Sequence, residues 1–322
     1  MVKTIMIRIA IVLAGIIAVV LGRGLFYYSG SYNPPPAEIP SYERVAVPMT
    51  PSTEFSDVYE EGEGTILIDL AHYNDFDIEE LNVLTLRLIS RGLTTEFFKT
   101  GDNLEKELLG EEVVKEEEKE AEEEAEKEAT EEAEIVDEEE AAEEEELPVG
   151  FIVVCPQEGF SKEEKETIDD FVTNGGRLLL IADPTRRGKI NTLSLDFGLI
   201  FEPDCLYNMK EYETNFQNIF VTDFKESEIT KGLNKVVFYR AGSISSADGG
   251  ITFGDENTVS SLVETKRKLS PIALANESKV LAIHDLTFMT EPHNGILDNN
   301  QLIANIADWL ASPTKEEEEQ KE

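Results

Sequence analysis

Short apolar runs alternate with amphipathic stretches between residues 65 and 182. The runs have the length and apolar character of strands buried on both faces of a sheet, and they are Thr65–Ala71, Thr95–Lys99, Val149–Cys155 and Arg177–Ala182. Between them, Asp77–Arg91 and Lys162–Asn174 place apolar residues at helical spacing. This alternation predicts an α/β fold with a mostly parallel sheet and helices on both faces.

Local signals limit the second of these helices. Ser161 and Glu164 form a capping box that opens it, and Gly175-Gly176 ends it. Further strands are predicted at Ile219–Thr222, Val236–Tyr239, Thr258–Val263 and Lys279–Ile283, and a closing helix at Asp298–Leu310.

The first apolar run of the chain is long enough to cross a membrane. Ile5–Leu21 is apolar except for Arg8, and Phe26–Tyr28 suit an interfacial aromatic belt. A cleavable signal peptide competes with this interpretation, because the uninterrupted part of the run also fits a signal-peptide core. No A-x-A site follows, which favours an uncleaved, single-pass transmembrane helix that contacts the membrane through residues 5–28.

The charges beside this helix predict its orientation. Lys3 and Arg8 come before or early in the run, whereas Arg23 follows it. We therefore expect a cell-membrane protein with a cytoplasmic N-terminus and an extracytoplasmic C-terminal domain. The expected organisation is an anchor over residues 1–30, a Pro-rich stalk over 31–63, an α/β domain over 64–311 and an acidic tail over 312–322.

The negative charge of the chain is concentrated in one segment. The 322 residues include 28 Lys and Arg against 67 Asp and Glu, a net charge of −39. Residues 111–146 hold 22 acidic residues and 3 lysines, a net charge of −19, and interrupt the predicted domain. Because so few lysines cannot pair these carboxylates, we expect a solvated insertion of low complexity that is either disordered or a frayed helix. The charge argues against nucleic acid as a partner, because phosphate binding needs clustered cations.

Polar residues that could carry chemistry follow the predicted strands. Ligands of parallel sheets bind beyond the carboxyl ends of the strands. The candidates at these ends include all three histidines of the chain, and they are Asp69, His72, Asn74, Asp183, His284, Asp285, His293 and Asn299. Such side chains could bind a polar ligand or a divalent metal, act as acid and base, or cap helices and tie loops.

Of these alternatives, we favour the last. No H-x-x-x-H, H-E-x-x-H or C-x-x-C spacing is present, so the sequence leaves the metal question open and predicts no cofactor. Cys155 precedes a proline at a strand end, and we interpret it as a buried small residue. A disulfide between Cys155 and Cys205 cannot be deduced from the sequence.

Several of these segments together resemble the GldG-like (GIFT-type) domains of the class I glutamine amidotransferase-like superfamily. The resemblance covers about residues 64–310. The matching segments are Ile66–Asp69 with His72–Asn74, Gly150–Pro156, Ser161–Glu164, Gly175-Gly176, Leu178–Pro184, Ile229–Leu233, Asp285–Met289 and Asp298-Asn299 with Trp309-Leu310. It implies a flavodoxin-like fold, and a place among membrane proteins and auxiliary parts of ABC-type export and gliding systems.

The resemblance also bears on catalysis. True amidotransferases carry a nucleophilic cysteine at the turn that here reads Asp183-Pro184-Thr185, and no His-x-Glu pair supplies the base. Pro184 provides no backbone N–H for an oxyanion hole, and Cys155 lies one strand too early. The triad is therefore absent, which implies a binding domain and not an enzyme.

The sequence is compatible with three functions. The first is a membrane-anchored, non-catalytic binding or scaffold domain, accessory to a membrane transporter or cell-envelope assembly. The second is a hydrolase that uses the strand-end histidines and aspartates. The third is an acidic adaptor that acts through residues 111–146.

Overall fold

The computed structural model describes residues 2–29, 52–59, 61–110, 147–210, 213–247, 249–262 and 268–312. The predicted acidic insertion at 111–146, most of the predicted stalk and residues 313–322 of the predicted tail lie outside the described residues. The chain divides into two compact units, Met1–Pro48 and Met49–Glu322.

The first unit contains one long helix, α1, which spans Val2–Tyr28. Residues Met6–Tyr28 are long and apolar enough to cross a membrane, and none of the span is buried inside the protein. The large apolar side chains described there, from Met6 to Tyr28, are exposed. Side chains of this kind are stable in lipid and costly in water, as expected for the predicted anchor.

The second unit is built on a six-stranded sheet. Its strands are β1 (Thr65–Asp69), β2 (Thr94–Phe98), β3 (Pro148–Val154), β4 (Arg177–Ile181), β12 (Ile272–Ala275) and β13 (Val280–Ile283). Their order is β12-β13-β4-β3-β1-β2, and every neighbouring pair is parallel except β12 and β13. This is an α/β fold with a mostly parallel sheet, as the strand and helix pattern predicts, and its strand order is flavodoxin-like, as the family resemblance implies.

Helices cover both faces of the sheet. A 3-10 turn at Ile78–Leu81 leads into α2 (Asn82–Ser90), which packs on one face with the C-terminal helix Asn299–Ala311. The other face carries α3 (Leu104–Leu109) and α4 (Lys162–Thr173). Numbered in chain order, the short helix Asn191–Ser194 is α5 and the C-terminal helix is α6.

The core consists of two clusters because the strand residues alternate between the two faces. In β1, Ile66 and Ile68 belong to one cluster and Leu67 to the other. In β4, Leu179 and Leu180 divide in the same way. All five of these side chains are almost fully buried, which is the pattern of a sheet covered on both faces.

The predicted ends of α4 are confirmed. The side chain of Ser161 accepts the backbone N–H of Glu164 at 3.2 Å, and Glu164 accepts the N–H of Ser161 at 2.7 Å. After the helix, Gly175 has φ +108°, and a Cβ at Gly176 would clash with the ring of Phe171. Both glycines are therefore needed to turn the chain into β4.

A group of short strands lies between β4 and β12. These strands are β5 (Ile200–Phe201), β6 (Leu206–Asn208), β7 (Asn218–Phe224), β8 (Val236–Tyr239), β9 (Ile244–Ser245), β10 (Thr252–Gly254) and β11 (Thr258–Ser260). They form a three-stranded antiparallel sheet, β10-β7-β8, and two strand pairs, β11-β6 and β5-β9.

Part of the predicted stalk is held on the domain. The backbone N–H of Thr53 donates to the carbonyl of Leu297 at 2.9 Å. Asp57 pairs with Arg87 at 2.6 Å and with Arg91 at 2.9 Å. Arg91 is fully buried, so this carboxylate partly neutralises a cation that has lost its water.

Candidate functional site

The carboxyl ends of the parallel strands bring the predicted polar residues to one edge of the sheet. Asp69 ends β1, Asp183 follows β4 by two residues, and His284 and Asp285 follow β13 directly. Asp69, His72, Asp183, His284, Asp285 and Asn299 are all buried. Burial of so many polar groups makes their hydrogen-bond partners the decisive evidence on what they do.

Asp69 organises the loop that follows β1. Its Oδ1 accepts the backbone N–H of Ala71 at 3.0 Å, and both carboxylate oxygens lie 3.0 Å from Nδ1 of His72. Nδ2 of Asn74 donates to the same carboxylate at 3.1 Å. One buried carboxylate thus holds both His72 and Asn74 in place.

His72 connects this loop to the start of α4. Its Nε2 lies 3.4 Å from Oε1 of Glu164, and its ring stacks on Phe160 with centroids 3.9 Å apart. Burial lowers the pKa of His72, but the hydrogen bond and charge of Asp69, together with Glu164, outweigh it and raise the pKa above its ordinary value. The imidazole therefore bridges two carboxylates from different elements.

The crevice where parallel sheets usually bind ligands is crossed here by hydrogen bonds of the chain itself. In this strand order the crevice lies between β1 and β3, because the chain adds β2 on one side of this pair and β4 on the other. Nδ2 of Asn74 donates to the carbonyl of Val154 at 2.8 Å, and the N–H of Asp75 donates to the carbonyl of Cys155 at 2.9 Å. The loop after β1 is therefore hydrogen-bonded across this crevice to the end of β3.

Asp183 ties two loops together. Its Oδ1 accepts the N–H of Thr185 at 2.8 Å and the hydroxyl of the same residue at 2.5 Å. Its Oδ2 accepts the N–H of Leu286 and the hydroxyl of Thr287, both at 3.3 Å. The carboxylate thereby joins the turn after β4 to the loop after β13.

Asp285 is fully buried and is also saturated by backbone donors. It accepts the N–H groups of Tyr239 at 2.7 Å, Thr287 at 2.8 Å and Phe288 at 3.3 Å. Burial, together with the nearby charge of Asp183, raises the pKa of Asp285 well above its ordinary value. The three donors fix β8 and the loop after β13 to one side chain.

His284 lies at the wall of a small cavity. Its Nδ1 is 3.1 Å from the carbonyl of Ser243, which can only accept, so Nδ1 carries the hydrogen. Burial lowers the pKa of His284, which keeps the ring neutral. The cavity measures about 270 Å³, and Cys155, Asp183 and Arg186 also line it. His72 does not line this cavity.

Cys155 is buried beside this cavity with φ +43°. Burial, with a further contribution from Asp183, raises the pKa of its thiol to about 12. A thiol with such a pKa is protonated at neutral pH and is a poor nucleophile. Cys155 and the exposed Cys205 are both free, so the disulfide that the sequence leaves open is not formed.

The last two predicted residues form a separate group. Nδ2 of Asn299 donates to the carbonyls of Val237 at 2.8 Å and His293 at 3.0 Å, and its Oδ1 accepts the N–H of Val237. The ring of His293 stacks on Tyr239, and burial lowers the pKa of His293. Asn299 thus joins α6 to β8, which is a structural arrangement.

Other buried polar contacts were not predicted from the sequence. Asp204 accepts the N–H and the hydroxyl of Ser243 at 2.8 Å, and the hydroxyl of Ser260. Arg186 pairs with Glu80 across the strand ends. The only sequence signal for Glu164 is the capping box. That motif predicts the start of a helix and does not predict a contact with His72.

The strand-end residues therefore make several small clusters and not one convergent site. Within the described part of the chain, no three His, Cys, Asp or Glu side chains are grouped so that they could hold a metal ion. Each buried carboxylate of the predicted set accepts two or more donors from the protein. Such a carboxylate is strongly hydrogen-bonded and is suited to fixing loops.

No protein-family model and no curated protein matches this chain. Among solved structures, the chain is similar to the N-terminal domain of mmIFT52, with a TM-score of 0.54 and 15% identity, over 77% of this chain and 98% of that domain. A ThuA-like protein from Parabacteroides merdae matches with a TM-score of 0.41 and 10% identity, over 79% of this chain and 91% of the other. At this identity, the likeness to the mmIFT52 domain shows a shared fold alone.

Proposed function

We propose that this chain is a membrane-anchored, non-catalytic binding or scaffold domain. The observation that carries the proposal is the commitment of the strand-end carboxylates to the protein itself. Asp69, Asp183 and Asp285 each accept several donors from neighbouring loops. The loop after β1 is also hydrogen-bonded across the crevice where ligands of such sheets bind.

The strand-end surface is the proposed binding face. It consists of the loops after β1, β3, β4 and β13, which are fixed by buried polar residues. Loops held on a rigid sheet are the common place for recognition in such folds. In this proposal the buried polar network shapes the face, and exposed residues such as Arg187 and Lys189 contact the partner.

We further propose that the domain is GldG-like and accessory to a membrane transport or cell-envelope assembly. The segments that resemble this family include Asp69 and His72 at the end of β1 and Ser161–Glu164 at the start of α4. Their packing against one another in one cluster supports the assignment. The partner in this proposal is a transporter or an envelope protein.

The proposed location is the cell membrane, with the N-terminus in the cytoplasm and the domain outside. Helix α1 and the excess of cations before its apolar part support this orientation. A cysteine introduced by Ser41→Cys, in a Cys205→Ser background, should react with a membrane-impermeant maleimide added to intact cells. Labelling only after the cells are opened would reverse the orientation.

A hydrolase is the second candidate, since Asp183 and His284 line the same cavity beside Cys155. The high pKa of Cys155 weighs against a thiolate nucleophile. The turn Asp183-Pro184-Thr185 offers no N–H from Pro184 to stabilise an oxyanion. These two features favour the binding proposal over the hydrolase.

Cross-linking in native membranes, followed by purification of the intact chain, tests the binding proposal. Replacing Arg187 and Lys189 by Glu should reduce the recovery of the cross-linked partner. Replacing Asp169 and Asp170 by Lys provides the control, because these exposed residues lie near the other end of α4. Equal recovery with both variants and the wild type would contradict the assignment of the face.

A further inference from the structure

Arg177 begins β4 at the opposite edge of the sheet from the strand-end face, and it is a buried cation that pairs with no carboxylate of the described residues. The residue is 8% exposed, and its Nη1 donates to the carbonyl of Ser278 at 3.0 Å. No ion pair joins Arg177 to any described carboxylate. By contrast, Arg87, Arg91 and Arg186 each pair with an Asp or Glu.

The unused donors of Arg177 lie on one side of the guanidinium. Nε is buried and has no hydrogen-bond partner, and no described residue accepts from Nη2. Nε–H and Nη2–H point the same way and together form the planar fork that binds two oxygens of one carboxylate. Burial lowers the pKa of Arg177, and the charge of Glu228 offsets this only in part. A buried charge without a partner is costly, so the missing partner needs an explanation.

A cleft opens beside this guanidinium. It measures about 520 Å³, and Lys225 and Lys279 contribute two further cations to its lining. The carbonyl of Ser278 also accepts the indole N–H of Trp309 at 2.8 Å, and Cζ of Arg177 lies 5.3 Å from the centre of the Trp309 ring. These contacts hold the guanidinium at the wall of the cleft with its orientation fixed.

We propose that this cleft is a binding site for a carboxylate group, which the guanidinium of Arg177 receives. Glu226, Glu228 and Glu277 also line the cleft. The carboxylate can come from a partner or from this chain, because Glu316–Glu319 follow the end of α6 and Trp309 lies in its last turn.

The chain contains one tryptophan, and it lies in this cleft, so its fluorescence reports on binding directly. The full chain in detergent micelles should be titrated with an acetylated peptide of sequence EEEEQKE and with the same peptide carrying Gln in place of every Glu. The Glu peptide should change the Trp309 emission saturably in the full chain or, where the chain's own glutamates fill the site, in a chain that ends at Ser312, and the Gln peptide should change it in neither. Arg177→Gln should weaken the apparent affinity about tenfold or more, because it removes a charged pair.

Lys99→Gln is the matched control, since Lys99 is an exposed cation that follows β2 at the opposite edge of the sheet and lies outside the proposed binding face. It should leave the titration unchanged. A second protein, ending at Ser312, separates the two sources of the carboxylate. If only this shortened chain responds, the site is filled by the chain's own glutamates, and if both proteins respond, the site is open to a partner.

Three results would overturn the proposal. One is the absence of any saturable change in both the full and the shortened chain. The second is an equal response to the Glu and the Gln peptide. The third is a response to inorganic phosphate alone, which would assign the cleft to a different anion. The peptide comparison uses the wild-type protein, so these results do not depend on whether the Arg177 variant folds.

Discussion

At the scale of single residues, the buried polar groups at the strand ends act as loop anchors. The sequence predicts that the histidines and aspartates follow strands, because short apolar runs predict where the strands lie. It does not predict that His72 pairs with Asp69 and Glu164 while His284 pairs with Ser243. Those pairings depend on strand order and on loop conformation, which no local pattern encodes.

His72 makes the stability of the protein depend on pH. Its pKa is raised in the folded state, so its contribution is fully present below the unfolded pKa of about 6.5 and is lost as the pH rises through the folded pKa. The free energy of unfolding of the wild-type chain should therefore fall over that range, and His72→Gln should remove this fall. Urea unfolding at a series of pH values measures it.

His293→Gln is the control for this pH series. Burial lowers the pKa of His293, so its effect on stability has the opposite sign, and the variant should keep the fall seen in the wild type. A fall of the same size in the His72→Gln variant would show that other groups cause it.

Cys155 and Cys205 should differ in their reaction with iodoacetamide. Burial keeps the pKa of Cys155 at about 12, whereas Cys205 is exposed. Mass spectrometry of the folded chain at pH 8 should find the label on Cys205, and on Cys155 only after unfolding. Rapid labelling of Cys155 in the folded chain would revive the hydrolase alternative.

At the scale of the elements, apolar runs and capping signals predict much of the central sheet. Strands β1, β3 and β4 and helix α4 lie within one or two residues of their predicted positions. Strand β12 was not predicted, and it has only four residues and pairs antiparallel with β13. Helix α3 has six residues, too few for a periodic signal.

The docking of residues 52–59 could not be predicted either, because it rests on contacts distant in sequence. Asp57 accepts from Arg87 and Arg91, and Arg91 is fully buried. Asp57→Asn should lower the free energy of unfolding by about 1–3 kcal/mol, since it leaves a buried cation with less neutralising charge. Urea unfolding of the full chain in detergent measures this loss.

The control for this prediction is Asp223→Asn. Asp223 pairs with Lys268 at 3.4 Å, and both side chains are exposed, so its loss should cost less than about 1 kcal/mol. Equal effects of the two substitutions would mean that Asp57 is no more than a surface ion pair.

At the scale of the whole molecule, the acidic segment is an insertion between neighbouring points of the fold. A Cβ built on Gly110 would lie 3.0 Å from Cδ2 of Leu147, so the residues on either side of the segment meet. Replacing residues 111–146 by a short Gly-Ser turn should therefore change the thermal unfolding midpoint by less than about 3 °C.

The same deletion tests the acidic adaptor as an alternative function. If residues 111–146 are the binding part, the shortened chain should lose its cross-linked partner while remaining folded. Under the binding-face proposal the partner is retained. A chain that fails to fold would instead show that the insertion supports the domain.

The central claim is that the strand-end carboxylates are kept for structure and not for chemistry, and the unfolding free energies of Asp183→Ala and Asp285→Ala test it most directly. Replacing a residue that is retained for catalysis often leaves the free energy of unfolding unchanged or raises it, whereas replacing a residue that anchors a loop lowers it. Each variant should lose about 2–4 kcal/mol, because it leaves buried N–H donors unpaired, and the exposed control Asp169→Ala should lose less than about 0.5 kcal/mol. Unchanged or increased stability in the two variants would contradict the account.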